Sequence, residues 1–498
     1  MKFRIAMLAF FLCNAALAQV GIGTTTPEAT SVLDVSSDSK GFLAPRMTTA
    51  QRTAITTPAN SLIVYDTDLR SFYYYDTPTT TWKPIGSGAT AIRDNYVLVK
   101  SMSDFPAPSG GKITLDENTL YEINGLITLT VPIELNDAQL LGRDAGEDIL
   151  FKATGAVFTG TTGGNVKNLT ISSTGGAGSG TVFAITGGTN LLFQNCIVAG
   201  MSSVGTISGV DLYFSNVVNY VNNRNGITYT DIDNLLLNNQ GWADTNVGTF
   251  ETLTGSFDLV EKVSGFSAVP SGATGFDVSS NPSVTSGVLQ GTVFSGVGTY
   301  IQGYPLANTY PGYNFSINWE VNAPGIPRES DDNASGNFYI TRNSTTTNPT
   351  FSISGGAAIN ASIDAGQMFR FSNATPTVTG SNNVLEYEGK ESRTFSVRGN
   401  LAYEPTTTNG ATTVHAFFIR KYSSDGSPIE IPLGTEIYEQ VGSSGNASTG
   451  DYLVRAIPIS GKVTLDPGDY VRIFGQTISS PGTARNSIRV YSVSLTLD

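Results

Sequence analysis

The chain has 498 residues with 54 Gly and 22 Pro, and its net charge is −13. This length predicts several domains, and a 40% apolar share excludes a wholly disordered chain. The acidic balance argues against binding to nucleic acid or anionic membranes, while one His and two Cys argue against His/Cys metal sites and His-based catalytic triads. We therefore expect no cofactor and no bound metal.

The N-terminus has the pattern of an export signal. A basic start, the apolar run Ile5–Leu12 and the small residues Ala16 and Ala18 predict a Sec-type signal peptide over residues 1–18, with cleavage before Gln19. The apolar run is too short to cross about 30 Å of hydrocarbon, so we expect no membrane insertion. The mature chain is predicted to be secreted or held at the cell surface.

A short β-rich module follows. Thr48 and Gln51 have the spacing of a capping box, which predicts a short helix beginning there. Two strands are predicted at Leu62–Tyr65 and Phe72–Tyr75, on either side of a turn.

The motifs of this module occur in a fixed order. VGIGT begins at Val20, PRMT at Pro45 and FYYYD at Phe72. Together they resemble a module found near the start of secreted and fibre-like proteins of Bacteroidetes and of the phages that infect them. Its usual short Gly turn is replaced here by Thr77–Thr81. The resemblance implies an attachment module over residues 19–90 in a surface or fibre context, and it implies no chemistry.

The central region has an internal repeat, which predicts a solenoid. Leucines at the second position of four similar segments are 22, 21 and 23 residues apart. In each segment the residue two positions later is also apolar, so one strand face is buried only when the segments stack. We predict a right-handed parallel β-helix over residues 91–305. The aligned segments are Asn168–Ser173, Asn190–Asn195, Asp211–Asn216 and Asn234–Asn239.

Several polar residues of this solenoid have a structural and a functional interpretation. Asn195, Asn216 and Asn239 are expected to stack as a ladder at a turn rather than to bind a ligand. The other cysteine, Cys13, lies in the predicted signal peptide and is removed with it. Cys196 therefore has no intrachain disulfide partner and is expected to be a small core or turn residue.

The one catalytic option that the solenoid offers is a set of carboxylates on neighbouring coils. Asp231 and Asp233 are two residues apart and are predicted to share a strand face, with Asp211 one coil earlier. Such carboxylates could supply acid and base for polysaccharide cleavage. Asp is also common at solenoid turns, and this structural interpretation is favoured. No catalytic residue is therefore assigned, and Asp211, Asp231 and Asp233 are candidates under the enzymatic alternative alone.

Residues 306–375 are a β-rich connector without an assigned fold, and residues 376–498 have evenly spaced strands. The segment Ala416–Ile419 is a continuous apolar run, as expected for a strand buried on both faces. The strand–turn–strand segment Val463–Ile473, with Pro-Gly in its turn, resembles the C1q/tumour-necrosis-factor jelly roll. That resemblance implies an antiparallel sandwich and a homotrimer.

Three aromatic residues of this region could lie in a trimer interface or in the domain core, namely Tyr470, Phe474 and Tyr491. His415 is expected to be a packed or surface residue rather than a ligand. The segment that opens the solenoid, residues 101–123, also resembles the start of the β-helix in phage tail-spike-like proteins.

Two functions remain open. The first is a trimeric, non-enzymatic fibre that binds a surface polysaccharide or a cell-surface protein, as an adhesin or a tail-fibre-like protein. The second is a polysaccharide lyase or glycoside hydrolase. A phage virion is the alternative location, although a signal peptide favours an exported bacterial protein.

Overall fold

The computed structural model describes residues 19–85, 95–174, 179–340, 350–359, 366–374, 383–405, 413–431, 434–441, 454–479 and 486–498. The predicted signal peptide, residues 1–18, lies outside the described residues. The chain divides into two compact units, Met1–Asp94 and Asn95–Asp498. Each unit is built almost wholly from β-strands. None of the helices in the described ranges combines the length and the apolar character that crossing a membrane requires.

The described residues of the first unit, 19–85, contain six strands and one helix of about one and a half turns. The predicted capping box is confirmed, because Thr48 and Gln51 each bond the other's backbone at the start of helix Thr49–Thr53. Strands β1 and β2 pair in parallel, and β3 to β6 form a separate four-stranded sheet. The strands are β1 Val20–Ile22, β2 Leu33–Val35, β3 Arg46–Met47, β4 Ile63–Asp66, β5 Ser71–Asp76 and β6 Thr81–Pro84.

A buried ion pair takes the place of a large apolar core in this unit. Arg52 lies 2.9 Å from Asp66, and its guanidinium stacks 4.0 Å above the ring of Tyr73. Burial would raise the pKa of Asp66, but hydrogen bonds from Arg52, from backbone N–H groups and from a Thr hydroxyl lower it to about 2. Among the described residues of this unit, Ala44 and Val64 are the buried apolar side chains.

The second unit begins with a parallel β-helix of three faces, and every strand pair in it is parallel. The first face is a nine-stranded sheet. Its strands are β8 Ile113–Thr114, β11 Ile133–Glu134, β14 Thr154–Gly160, β17 Ser179–Ile185, β19 Ser203–Ser208, β21 Ile227–Thr230, β23 Thr249–Thr254, β25 Thr274–Asp277 and β28 Thr299–Gln302.

The second and third faces belong to one fourteen-stranded sheet, because four long strands bend from one face onto the other. The second face contains β7 Tyr96–Val99, β9 Leu120–Ile123, β12 Gln139–Leu141, β15 Gly164–Lys167, β26 Ser283–Gln290 and β29 Trp319–Asn322. The third contains β10 Leu126–Thr128, β13 Ile149–Phe151, β16 Thr170–Ser172 and β27 Val293–Gly296. The bent strands are β18 Gly188–Ala199, β20 Val210–Val221, β22 Asn234–Trp242 and β24 Ser256–Val269.

The strand register corrects the predicted repeat by one residue in its third segment. Leu191 pairs with Tyr213, and Tyr213 pairs with Leu235, so the inward position of that coil is Tyr213 and not Leu212. Leu212, Tyr213 and Phe214 are all apolar, so the sequence has no alternation of polar and apolar residues here from which the strand register could be read. A slip of one residue exchanges inward and outward side chains. The first segment is also displaced, because Thr170 pairs with Ile197 on the third face.

The end of the solenoid lies beyond residue 305, where the sequence placed it. Strand β29 pairs with β26 through Gly287 and Trp319, so it continues the second face. The ring of Trp319 fills the space beside Gly287, where an added Cβ would lie 2.3 Å from a ring atom. Residues 319–322 of the predicted connector therefore belong to the last coil.

The remainder of the chain forms an antiparallel sandwich, as predicted. Its two sheets have the orders β33-β30-β42-β36-β40 and β34-β35-β41-β37-β38. The first sheet contains β30 Ser335–Ile340, β31 Thr350–Ser352, β33 Met368–Phe369, β36 Arg393–Pro405, β40 Arg455–Leu465 and β42 Ser487–Leu497. The second contains β32 Ala357–Ala358, β34 Phe371–Ser372, β35 Leu385–Tyr387, β37 Thr413–Tyr422, β38 Pro428–Glu430, β39 Ile437–Val441 and β41 Tyr470–Ser479.

The sandwich therefore begins within the predicted connector, since β30 to β34 all precede residue 376. The all-β architecture of a parallel β-helix followed by an antiparallel sandwich is confirmed. The prediction that Ala416–Ile419 is buried on both faces is also confirmed, because all four side chains are at most 2% exposed.

Candidate functional site

An aromatic loop, residues 303–318, connects β28 to β29 at the end of the solenoid. Trp319 donates its indole N–H to the hydroxyl of Tyr304 at 3.1 Å, and Tyr304 donates to the carbonyl of Pro282 at 3.0 Å. Phe315 packs against Trp319 with ring centroids 4.8 Å apart. These contacts hold both ends of the loop against the last coil.

A buried carboxylate fixes the middle of this loop. Glu329 accepts the backbone N–H groups of Asn314 at 2.8 Å and of Phe315 at 2.9 Å. Burial raises the pKa of Glu329 to about 6, although these N–H bonds oppose the rise. The conformation of the loop is therefore coupled to a carboxyl group that titrates at mildly acidic pH.

A buried arginine of the sandwich binds the solenoid side of the junction. Arg370 donates to the carbonyl of Trp319 at 2.7 Å and also to the carbonyl of Ile317. Its Nε lies 3.5 Å from Asp331, which in turn accepts the backbone N–H of Lys390 at 2.6 Å. Arg370 is 1% exposed. The solenoid end and the sandwich are thus joined through polar contacts shielded from water.

Two open cavities lie at this junction and share Tyr310 and Glu388. They measure about 640 Å³ and about 920 Å³. The Tyr310 hydroxyl donates to Glu388 at 2.7 Å, and burial together with this carboxylate raises the pKa of Tyr310. The smaller cavity is also lined by Asn281, Ser283, Asn308, Thr309 and Asn318. The larger is also lined by Tyr313, Gln367, Phe369, Ser372 and Asn373.

The chemistry of this junction groove, as we call the two cavities together, suits a ligand with many hydroxyl groups. Tyr313 and Phe369 stack with ring centroids 3.9 Å apart, which presents an aromatic surface in the larger cavity. Amide and hydroxyl side chains around it can both donate and accept hydrogen bonds. The sequence did not indicate this site, since its residues are spread over residues 281–388.

The carboxylates that the sequence singled out are arranged differently from the prediction. Strand β21 ends at Thr230 and β22 begins at Asn234, so Asp231 and Asp233 lie in a corner and not on a common strand face. Asp231 has a φ of 49°, and its carboxylate accepts the backbone N–H of Ser256 at 2.9 Å on the next coil. Asp231 is therefore part of the turn that links two coils.

Asp211 and Asp233 do occupy equivalent positions on successive coils, and Asp258 continues the column. The adjacent register pairs are Leu212 with Asn234 and Asn234 with Leu259. Stacked strands lie about 4.8 Å apart, so the three exposed carboxylates form a row. Within the described residues no group of three or more His, Cys, Asp or Glu side chains could hold a metal ion.

The predicted Asn ladder is wrong for Asn216, which lies one residue before the corner. The corner positions are Asn168, Asn195, Val217, Asn239 and Ser264, all with φ between 49° and 60°. Asn195 and Asn239 are exposed there, and the hydrogen bonds found for the described residues include none between them and a neighbouring coil. Asn is favoured because its side chain tolerates left-handed backbone.

A true ladder lies at a different corner and was missed. Asn223 and Asn246 are both 1% exposed, and the amide of Asn223 donates to the Asn246 side-chain oxygen at 3.0 Å. The backbone N–H of Asn223 also donates to Asn246 at 3.0 Å, and Asn246 donates to the carbonyl of Tyr220 at 2.7 Å. The sequence did contain a signal for this ladder, because Asn223 and Asn246 are 23 residues apart and each is followed shortly by a Gly, Gly226 and Gly248.

The predicted structural roles of Cys196 and His415 are confirmed. Cys196 is 1% exposed, and burial raises the pKa of its thiol to about 12. His415 is fully buried and packs beside Tyr403, whose hydroxyl lies 3.4 Å from its Nδ1. Neither residue is therefore presented to a ligand from solvent.

The sandwich aromatics named as trimer candidates make contacts within the chain. Tyr470 is 2% exposed and stacks on Tyr422 at 4.9 Å, and Phe474 packs on Phe418 at 5.9 Å. Tyr491 donates its hydroxyl to Glu404. Phe474 belongs to a small apolar cluster with Ala416 and Phe418 that is separate from the main core of the sandwich, and Tyr491 is partly exposed.

The first unit exposes many large apolar side chains to solvent. Residues 19–85 are about a sixth of the described chain, yet they contain twelve of its twenty-five exposed large apolar side chains. Val32, Phe42 and Leu43 are 82%, 70% and 71% exposed. The full set is Val20, Ile22, Val32, Leu33, Val35, Phe42, Leu43, Leu62, Ile63, Leu69, Phe72 and Ile85.

Comparison with known proteins gives a match in this same region. Residues 21–97 match the family model described as the phage tail like trimerisation region. The phage-fibre-like character expected for residues 19–90 is therefore confirmed, and the chain carries a tail-fibre-like trimerisation module. The match is limited to this module, and the rest of the chain lies outside it.

Matches to whole proteins are more distant. A stretch of 191 residues is 29% identical to halomucin of Haloquadratum walsbyi, covering 37% of this chain and 2% of that protein. The chain thus spans about 2% of the length of this curated relative.

Two solved structures cover most of the chain at 12% identity. ORF18 of Geobacillus virus E2 covers 88% of this chain and 90% of its own, with a TM-score of 0.16. The phiAB6 tailspike was solved with oligosaccharides of an Acinetobacter baumannii surface polysaccharide. Its match covers 85% of this chain and 98% of the tailspike chain, with a TM-score of 0.19. Scores this far below 0.5 do not establish a common fold, so the fold rests on the strand pairing given above.

Proposed function

We propose that this chain is one subunit of a homotrimeric, tail-fibre-like protein that acts outside the cell and binds a surface polysaccharide. One observation carries the proposal. Twelve large apolar side chains are exposed in a module with almost no apolar core of its own, and that module matches a trimerisation region. Two further copies of the chain are the partners that would cover this surface.

The trimer is tested by sedimentation equilibrium. We expect a mass of three chains, each of 52.5 kDa before any processing. Replacing Phe42 and Leu43 by Ser should weaken or abolish the trimer. The matched control is Leu126→Ser, a similarly exposed apolar residue in the solenoid at 62% exposure, which should leave the mass unchanged. A wild-type monomer would contradict the proposal.

Polysaccharide binding is assigned to the junction groove. The stacked rings of Tyr313 and Phe369 and the surrounding amides and hydroxyls support this assignment. Tyr313→Ala should weaken binding about fivefold, as expected for the loss of about 1 kcal/mol of aromatic contact. Tyr339→Ala is the control, because Tyr339 is 39% exposed and lies outside both cavities. Equal loss in both variants would remove the groove from the proposal, and a cell-surface protein would then be the partner to test.

We further propose an exported bacterial protein of the Bacteroidetes type, secreted or held at the cell surface, rather than a virion component. The pattern of residues 1–18 supports export. N-terminal sequencing of the natural protein should give a mature chain beginning at Gln19. Retention of Met1 on the mature protein would favour assembly in a virion instead.

The column of Asp211, Asp233 and Asp258 favours one second candidate, a polysaccharide-cleaving enzyme. Its spacing of about 4.8 Å per coil is near the carboxylate separation of about 5 Å in retaining glycosidases. Incubation with bacterial or algal polysaccharides should then produce new reducing ends or unsaturated products. Turnover that is lost in Asp233→Asn would establish this candidate over a purely binding role.

A further inference from the structure

Three polar side chains meet inside the solenoid, away from every surface described above. They are Gln240 on β22, Glu251 on β23 and Lys262 on β24, and each is at most 1% exposed. The Nζ of Lys262 lies 2.7 Å from Glu251 Oε2 and 3.1 Å from Gln240 Oε1. An amine, an amide and a carboxylate are therefore in contact within one closed space.

The walls of this space are aromatic. Tyr220 and Trp242 stack with ring centroids 3.8 Å apart, and Tyr213 and Tyr229 lie 5.6 Å apart. All four side chains are fully buried. Such an environment excludes water and makes an ionised Lys–Glu pair costly.

Neither oxygen of Glu251 receives a well-aligned hydrogen bond, even though Lys262 is in contact with one of them. Burial raises the pKa of Glu251, while Lys262 opposes the rise. The carboxylate is thus free to take up a proton. Gln240, by contrast, is oriented, because its amide nitrogen donates to the hydroxyl of Ser215 at 3.1 Å and its oxygen accepts from Lys262.

We propose that Lys262 and Gln240 form an intramolecular isopeptide bond that joins adjacent coils of the solenoid, with Glu251 transferring the protons. Lys262 supplies the nucleophile, since a desolvated lysine beside a base is an activated amine. Gln240 supplies the acyl carbon. Glu251 is the general base and then the general acid.

The reaction balances without any further reagent. Glu251 takes a proton from the Lys262 ammonium, and the neutral Nζ attacks Cδ of Gln240. Glu251 passes its proton to Nε2, the Cδ–Nε2 bond breaks, and the proton released from Nζ returns to Glu251. Ammonia leaves as a neutral molecule, and Glu251 keeps that last proton. The product is a secondary amide between Cδ and Nζ, and nothing is oxidised or reduced.

The product relieves the electrostatic problem of the site. The positive charge of Lys262 is replaced by a neutral amide, and the protonated form of Glu251 is the one that burial favours. The bond would also close a loop of 22 residues between strands β22 and β24, whose register places Lys262 opposite Leu237. Unstacking of these two coils would then require a covalent bond to break.

Trypsin digestion of the denatured full chain tests the proposal. Trypsin cannot cleave after an acylated lysine, and no Lys or Arg lies between Arg224 and Lys262 or between Lys262 and Arg328. We expect a peptide of residues 225–328 that is lighter than its sequence mass by one ammonia. Cleavage after Lys167 in the same digest is the internal control for complete digestion.

The missed cleavage after Lys262 shows that this lysine is acylated, whereas the loss of one ammonia alone does not show where the bond is. An N-terminal Gln19 and the Asn225-Gly226 pair can each lose ammonia by cyclisation, but neither blocks cleavage after Lys262. Glu251→Gln and Gln240→Leu should both restore that cleavage. A wild-type peptide ending at an unmodified Lys262 would overturn the proposal and leave a buried ion pair. Loss of water instead of ammonia would overturn the role of Gln240, because Glu251 would then be the acyl partner.

Discussion

The hydroxyl of Tyr310 donates a 2.7 Å hydrogen bond to the carboxylate of Glu388, which ties the aromatic loop at the end of the solenoid to the sandwich. The two residues are 78 positions apart in the chain and line both cavities of the junction groove. The groove is therefore bounded by two elements that are joined by polar contacts and by the packing of Tyr310 and Tyr313 against Phe369.

The first prediction concerns this hydrogen bond. Tyr310→Phe should lower the free energy of unfolding of the second unit by about 1 kcal/mol, because the carboxylate loses a donor in a half-buried site. Urea denaturation followed by tryptophan fluorescence measures the change, because two of the three Trp residues, Trp242 and Trp319, are buried in the second unit. Tyr313→Phe removes from the same loop a hydroxyl that bonds to none of the described residues, and it should have a smaller effect. Equal effects of the two variants would mean that the Glu388 contact does not stabilise the loop.

The second prediction concerns the buried pair of Arg370 and Asp331. Arg370→Met should destabilise the second unit by about 3 kcal/mol, since it leaves Asp331 buried and removes two donors from backbone carbonyls. Adding Asp331→Asn should recover part of the loss. Thermal unfolding of the single and double variants gives the coupling between them. An additive loss in the double variant would contradict a direct interaction.

The third prediction concerns Val217, a β-branched residue with a φ of 54° at a corner where other coils have Asn. Val217→Asn should stabilise the chain by about 1 kcal/mol, because Asn tolerates this region far better than a β-branched residue. The reverse exchange Asn239→Val, at the equivalent position of the next coil, should destabilise it by a similar amount. If Val217→Asn and Asn239→Val changed the free energy of unfolding in the same direction, backbone strain would not be what distinguishes the two positions.

The corner also illustrates how far the sequence could predict the fold. The period of about 22 residues and the paired apolar positions were enough for a parallel β-helix, since each coil repeats the same inward stripe. They were not enough for the register of the third coil, because Leu212, Tyr213 and Phe214 are all apolar. Val217 gave no signal of a corner at all, since propensity places valine in strands.

The candidate site was harder to predict than the shaft for a related reason. The junction groove is assembled from residues 281–388 by contacts that have no period, such as Arg370 with the carbonyl of Trp319. The buried cluster of Gln240, Glu251 and Lys262 was hidden because charged residues are ordinarily placed at the surface. Local motifs, by contrast, were predictable, as the capping box of Thr48 and Gln51 shows.

The last prediction is a pH dependence that originates at Glu329. Its pKa is raised from 4.5 to about 6 by burial, so the folded chain binds a proton more tightly here than the unfolded chain does. The stability that this group contributes is therefore complete below pH 4.5 and is lost as the pH rises through about 6. The loss of stability is about 2 kcal/mol for a pKa shift of this size.

Denaturant midpoints of the wild type and of Glu329→Gln, measured from pH 4.5 to 7, should differ in slope over this window, with the wild type losing more stability as the pH rises. Glu320 and Glu251 also have raised pKa values, but both remain in the variant, so the difference in slope isolates Glu329. Parallel curves would mean that Glu329 titrates as an ordinary carboxyl group and does not couple the aromatic loop to pH.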